Sequence, residues 1–323
     1  MYDVISIGSA TLDIFVKSPE FKVVSTDIVP EGVVLCEAYG AKIDVDTLHM
    51  LSGGGGSNTA ASFIKKGLNT SLIAEIGRDI PASAVLADLA IHHIPTDMLI
   101  QEQDEQTATS VILVAPEGGR SIVTGRGASR MLEIRDIPWD KLDTKWIYIS
   151  SLGGQSELLE SLILHSYQHG IKVAVNPGSG ELNDRNRLHK LLPKITTLIL
   201  NKEEFCILQN IDHQSDQAMI NTAKAIETPI IAITYGNQGA YVIDHQTVYF
   251  TPSSSTAAIE TTGAGDAFGS GLVSGIIMEW HIIDAIRLAA ANAEGVIKHF
   301  GAKPGLISLQ DYQQQPPLTV MKL

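Results

Sequence analysis

Cysteine is scarce. The chain of 323 residues has two, Cys36 and Cys206. They stand far apart, with no Cys-x-x-Cys pair and no Cys/His ligand spacing. That excludes a disulfide scaffold and a structural zinc site, and both are expected as thiols. Basic residues are also short: Lys and Arg number 23 against 36 Asp and Glu, giving a net charge of −13. A nucleic-acid-binding face needs the opposite balance. An anionic ligand would have to be met by local donors, not by the field of the whole molecule. No apolar run approaches the length of a bilayer span. The start, Met1-Tyr2-Asp3-Val4, lacks the basic stretch of an export signal. The expectation is a soluble, cytoplasmic protein that engages neither membrane nor nucleic acid.

What is abundant is apolar material. Apolar residues make up 44% and charged residues 18%, enough for one large α/β domain or two modest ones. Val4–Ile7 reads as a short buried strand ending at Gly8. From residue 145 the pattern is regular. Apolar strand-length runs at 146–150, 172–176, 197–200 and 230–235 alternate with helical stretches at 156–169, 184–191, 203–209 and 215–226. Near-continuous apolar strands between helices predict a parallel sheet covered on both faces. Residues 242–251 read as a hairpin, and helices at 264–280 and 282–299 close the domain. Two β-rich stretches, 16–45 and 106–124 with a turn at Glu117-Gly118-Gly119, are expected to pair into a small lid. The core is assigned to 1–15, 46–105 and 125–309. The tail, 310–323, is expected to be loosely ordered.

One segment points to chemistry. Glu260-Thr261-Thr262-Gly263-Ala264-Gly265-Asp266 precedes apolar residues at helical spacing, so a helix is predicted from Ala264. Its first N–H groups lack intrahelical acceptors, and small residues let an anion approach them. Asp266 falls in the first turn, where a carboxylate is favoured. An anion cradle beside a proton acceptor is what phosphoryl transfer to a hydroxyl requires. Gly-Ala-Gly also suits a plain tight turn, and Asp also suits a helix start. Gly53-Gly54-Gly55-Gly56 is followed at once by a helix, which argues against a linker, and no Gly-Lys-Ser/Thr follows to make a P-loop. Gly8-Ser9 follows a strand but lacks the glycines of a dinucleotide fingerprint. The adjacent His92 and His93 read as surface residues.

Gly53 to Ala60, with Gly67 and Gly77, resembles the first signature of the ribokinase-like (phosphofructokinase B-type) carbohydrate kinases. Thr261 to Asp266 resembles the second. Asn201-Lys202-Glu203-Glu204 is similar to the family's Asn-x-x-Glu, Thr234 to Gly239 to its nucleotide loop, and Gly8 to Asp13 to its opening motif. The matches keep the family's order from residue 4 to about 302. The resemblance implies a doubly wound, mostly parallel α/β sheet with a small β-sheet lid that often forms a dimer contact. It implies transfer of the ATP γ-phosphoryl group to a hydroxymethyl oxygen of a sugar or sugar-like alcohol, with magnesium. By position, Asp266 would be the base, and the Gly263, Ala264 and Gly265 backbone the anion hole. Asp13, Gly54, Gly55 and Asn58 would meet the substrate. Asn201 and Glu204 would orient the phosphates and magnesium through water. Asn176 would lie near the γ-phosphate, and Thr234, Gly236, Gly239 and Asn292 would line the nucleotide site. Local alternatives stand beside these roles: a strand-end turn for Asp13, a helix cap for Asn58, a solvated helix start for Glu204, and a core position for Asn292.

There are departures from the pattern. Glu260 stands where the family usually has Asp, a position that helps hold a monovalent cation in some members, which leaves potassium open. Gly55 stands where ribokinases have Lys, and Ile149-Ser150-Ser151-Leu152-Gly153-Gly154 lacks the acid that ribokinases use. This points away from ribose and allows a larger acceptor such as a nucleoside. The competing readings are a nucleoside kinase and a catalytically inactive sugar- or nucleotide-binding member. A nicotinamide-dependent oxidoreductase lacks its fingerprint.

Overall fold

The computed structural model describes residues 1–29, 32–117, 119–211, 215–253, 258–314 and 318–323. The chain opens with β1 (Tyr2–Ile7), β2 (Thr11–Lys17), β3 (Lys22–Ser25), β4 (Val33–Cys36) and β5 (Thr47–Gly53). Then come α1 (Gly55–Lys65), β6 (Thr70–Ile73), β7 (Glu75–Ile76), α2 (Ile80–Ile91), β8 (Ile100–Gln101), β9 (Thr109–Val114) and β10 (Arg120–Gly125). The regular region supplies β11 (Thr144–Ile149), α3 (Ser156–Gln168), β12 (Lys172–Val175), α4 (Ser179–Leu182), α5 (Arg185–Leu191), β13 (Thr197–Asn201), α6 (Lys202–Gln209) and α7 (Asp216–Lys224). Last are β14 (Ile230–Thr234), β15 (Gly239–Asp244), β16 (Thr247–Pro252), α8 (Ala264–Ile277), α9 (Ile282–Val296), α10 (Leu309–Gln313) and β17 (Met321–Lys322).

Strand β1 shows why the main sheet forms. Val4, Ile5, Ser6 and Ile7 are all completely buried, so neither face of the strand can meet water. Val4, Trp146 and Tyr148 pack to one side with Phe63, Phe268, Leu272 and Ile286 of α1, α8 and α9. Ile5, Ile7, Ile147 and Ile149 pack to the other side with Leu159 and Leu162 of α3. Helices on both faces are the condition for a parallel sheet. The strand order is β17-β16-β15-β14-β13-β12-β11-β1-β6. Strands β6 to β14 run parallel, and β15, β16 and β17 add antiparallel. The C-terminal ends of β1, β11, β12, β13 and β14 therefore share one edge, where open α/β sheets bind ligands.

A separate four-stranded sheet has the order β10-β9-β2-β5. It draws on 11–17 and 47–53 as well as 109–114 and 120–125, so the expected split at 16–45 and 106–124 is displaced. The chain enters this sheet directly after Ala10, and Asp13 pairs with Leu51 and Ser110. Between these strands in sequence, β3 and β4 pair, among the described residues, only with each other. One face of the sheet carries Phe15 and Ile112, packed with Val114, Leu51 and Phe300. The other presents Leu48, Met50 and Val123 to solvent.

Two further expectations are corrected. Helix α1 begins at Gly55, within the glycine run and not after it. A Cβ on Gly55 would lie 2.8 Å from the Ser150 side chain, and one on Gly56 would lie 2.8 Å from the Gly8 backbone. The glycines are thus the first helical turn, pressed against the ends of β1 and β11. The tail is not loose throughout. Helix α10 is capped by Ser308, whose hydroxyl accepts from Asp311 N–H, and Met321 and Lys322 pair with Phe250 and Tyr249. Gly118, in the expected turn, and Gln315, Pro316 and Pro317 lie outside the described residues.

Candidate active site

Asp13 projects from β2 on the face of the small sheet turned toward the main sheet's ligand edge. It is 8% exposed and sits against Gly53, where a Cβ would come within 1.9 Å of its Oδ2. The Thr11 hydroxyl donates to its Oδ1 at 3.2 Å. Burial pushes its carboxyl above the usual range. Hydrogen bonds from Ser110 and Thr11 and the charge of Lys303 oppose that rise, and the negative charge of Glu260 adds to it.

Asp266 lies in the first turn of α8. Gly263 caps this helix at φ 77, in the left-handed region, and a Cβ there would strike the Ala302 side chain at 2.2 Å. Among the described residues, the N–H groups of Gly263, Gly265 and Asp266 have no acceptor, and nothing lies within 4 Å of a Cβ built on Gly265. The Ala264 N–H is partly taken, donating to the Thr261 carbonyl at 3.3 Å. The donors open to an anion are therefore 263, 265 and 266, a correction at Ala264. The Asp266 Oδ2 accepts from Asn58 Nδ2 at 2.9 Å, and a Cβ on Gly55 would lie 3.5 Å from its Oδ1. Burial raises the Asp266 carboxyl. The Asn58 hydrogen bond lowers it, the charge of Asp13 raises it, and Lys303 lowers it. Asp13 and Asp266, 253 positions apart, thus lie close enough for the charge of Asp13 to act on Asp266.

The remaining predicted positions, Asn292 apart, lie along the same edge. Asn176 follows β12, and its side chain donates to the Ile199 carbonyl at 2.9 Å. Asn201 and Glu204 form a reciprocal cap on α6, each side chain bonding the other's backbone N–H at 2.8 Å. That is the capping box a Ser/Thr/Asn-x-x-Glu spacing favours. Burial raises the Glu204 carboxyl, the Asn201 backbone hydrogen bond lowers it, and the charges of Glu203 and Asp266 raise it. Asn201, Lys202, Glu203, Thr234, Tyr235 and Gly236 line a cavity of about 290 Å³. Gly236 is open to it, whereas Gly239 serves the turn: at φ 121, a Cβ there would meet the Thr251 carbonyl at 2.1 Å.

Asn292 is not in this groove. It is completely buried, and its amide is used by its neighbours. Its Nδ2 donates to the Ala267 carbonyl at 2.7 Å and to Ser62 Oγ at 3.1 Å. Its Oδ1 accepts from Lys66 Nζ at 2.9 Å and from Ile307 N–H at 3.1 Å. Asn292 ties α9 to α1 and α8, so the expected nucleotide contact is replaced by a core role. Sequence reasoning missed Lys303 and Arg120. Buried Lys303 bonds Asp88 at 2.6 Å and Ser52 Oγ at 2.9 Å. Arg120 reaches from β10 to Thr261 and Glu260. Neither carries a local signal, because every partner is distant in sequence. Among the described residues, no group of three or more His, Cys, Asp or Glu is placed to hold a metal, and no helix is long and apolar enough to cross a membrane.

A half-buried carboxylate beside bare helix-start amides, at the ligand edge of a doubly wound sheet and under a small second sheet, defines a phosphotransferase acting on alcohols. The chain belongs to the pfkB family of carbohydrate kinases, which it matches over residues 3–308. It is similar to a ribokinase of Staphylococcus aureus (strain COL), 26% identical over 285 residues, covering 83% of this chain and 91% of that protein. In fold it is similar to Arabidopsis thaliana ribokinase complexed with ribose and ATP, at TM-score 0.78, 18% identity and coverage of 97% and 98%. It is also similar to a Burkholderia thailandensis nucleoside kinase in complex with inosine, at TM-score 0.77, 18% identity and coverage of 96% of each chain. The chain is a kinase, with ATP the co-substrate its family implies.

Proposed function

We propose that this kinase moves the γ-phosphoryl group of ATP to a hydroxymethyl group of a small sugar, with Asp266 as general base. The observation that carries the reading is the meeting of Asp266, held by Asn58 at 2.9 Å, with the acceptor-free N–H groups at the start of α8. Asp13 holds acceptor hydroxyls on the near side, and Gly54 and Gly55 keep that wall free of side chains. The donor lies along Asn176, Asn201, Thr234 and Gly236. The free amides of 263, 265 and 266 receive the charge that builds on the transferring group, and Asp266 takes the hydroxyl proton. Phosphoryl transfer asks for alignment and charge stabilisation above all, and this arrangement supplies both.

Magnesium fits Glu204 sparingly. One carboxylate oxygen closes the α6 cap and the other is open to a hydrated ion, which suits a cation that keeps most of its waters. When bound, it would neutralise charge on the donor phosphates. Potassium is not part of the reading, because Arg120 already stands 3.5 Å from Glu260. The exposed apolar face of Leu48, Met50 and Val123 supports a homodimer through the small sheet. ATP-dependent turnover and thiol cysteines fit a cytoplasmic setting.

A nucleoside acceptor is a second reading with its own observation. The loop after β11 presents no free acid, because buried Glu181 is fully engaged by the N–H groups of Leu152, Gly154 and Gly178. His49 and Phe300, with ring centroids 5.1 Å apart, offer a surface for a base. A panel of sugars, sugar phosphates and nucleosides with ATP and magnesium, read by ADP release and by thermal shift, separates the readings. Asp266→Asn should cut turnover by about 10² or more while ATP binding persists. Unchanged turnover would remove the base assignment.

A further inference from the structure

The loop leading into α8 is braced by a buried acid. Glu260 Oε1 accepts both the N–H and the hydroxyl of Thr262, at 2.8 and 2.7 Å, and the Glu260 backbone N–H donates to Ile297 at 3.3 Å. This brace fixes the turn in which Gly263 takes its positive φ. It also leaves a carboxylate with only 3% of its side chain exposed three residues before the amides that would meet a polyanion. Its Oε2 is buried without a hydrogen-bond partner among the described residues. A lone buried carboxylate is costly, and here it would repel the incoming phosphates as well.

The counter-charge comes from the small sheet. Arg120, at the start of edge strand β10, puts Nη1 3.5 Å from Glu260 Oε1 and donates to the Thr261 hydroxyl. The other charged groups nearby do not replace it. Asp13 is itself negative, and Lys303 is committed to Asp88 and Ser52. The strand order places Arg120 in the sheet that carries Asp13, so this side chain joins the acceptor wall to the anion loop.

We propose that Arg120 is a positioning residue for the anion hole, a built-in counter-cation to Glu260. The inference rests on the kinase reading of the α8 start. It makes transfer indifferent to potassium in this chain. It also makes the loss of Arg120 a loss that a small cation can partly repair.

The test uses the full-length wild type, Arg120→Met and Arg120→Lys. Turnover and donor KM are measured in choline, sodium and potassium buffers at equal ionic strength, with added guanidinium in a parallel series. The wild type should turn over equally in choline and potassium. In choline, Arg120→Met should lose about tenfold or more in kcat/KM for the donor, since its buried partner is left uncompensated. Potassium or guanidinium should restore part of that, and Arg120→Lys should retain most of it. A wild type strongly activated by potassium would overturn the proposal. So would an Arg120→Met variant with unchanged kinetics, or with a loss that no cation repairs. Thermal shift of the same proteins without donor or acceptor is the second arm. Arg120→Met should gain a potassium-specific rise in Tm that the wild type lacks, and an equal response in both would overturn the idea. If no acceptor in the panel is phosphorylated by the wild type, the kinase reading fails, and this second arm still decides the role of Arg120.

Discussion

At the scale of the residue, the contact that matters most is Asn58 with Asp266. Burial pushes the Asp266 carboxyl upward and the Asn58 N–H holds it down. A base must be ionised to accept a proton, so activity should fall as pH drops through the carboxyl's range. Removing the donor in Asn58→Ala should leave the carboxyl higher still, moving the acid limb of the kcat profile to higher pH and slowing turnover by about tenfold at pH 6. A limb that stays in place would show that Asn58 acts on the acceptor alone. Asp13, Asn58 and Asp266 were each legible from motif spacing. The Asn58–Asp266 hydrogen bond and the approach of Asp13 to Asp266 were not, because they bring together positions 208 and 253 apart. Asn292 shows the opposite failure: its Ala-rich helix gave no hint that Lys66, Ser62 and Ala267 would consume its amide.

At the scale of the element, the start of α8 separates two uses of glycine. Gly263 needs its positive φ and has no room for a Cβ, so Gly263→Ala should cost about 1–3 kcal/mol in chemical denaturation. Gly265 has a helical backbone and open space around it, so Gly265→Ala should leave Tm nearly unchanged while crowding the anion site and depressing kcat. Equal loss of stability in both would contradict the assignment of Gly265 to function. The α8 start was readable because capping chemistry is local. The earlier start of α1 was not, since Gly55 and Gly56 are demanded by Ser150 and Gly8 across the sheet. Strand β17 escaped notice because two residues carry no periodicity, and its pairing partner lies in β16.

At the scale of the molecule, buried titratable groups outside the site set a pH dependence of folding. Glu75 is 2% exposed. Burial, reinforced by the charges of Asp136, Glu102, Glu105 and Glu133, pushes its carboxyl up to about 7. The folded state therefore keeps a proton that the unfolded chain releases from about 4.5 upward. Its contribution to stability is present below that value and lost as pH rises through about 7. Lys66 acts in reverse. Burial drives it down to about 7 from 10.5, so the cost of holding it eases as pH climbs above 7. Glu75→Gln should raise Tm by a few degrees at pH 8, have little effect near pH 4, and flatten the decline between. An equal change at both pH values would place the effect in packing, not in ionisation.

The sequence by itself determined the alternation of buried strands and helices and the helix start at Ala264, and it singled out Asp266 as the carboxylate proposed to act as base. These depend on apolar periodicity, capping and loop chemistry within a few residues. The tertiary structure alone decided which amides stay open, which acid Arg120 stands beside, that Asn292 belongs to the core, and where the second sheet begins. Each of those turns on the distance between groups far apart in the chain, and the local pattern of side chains does not encode that distance.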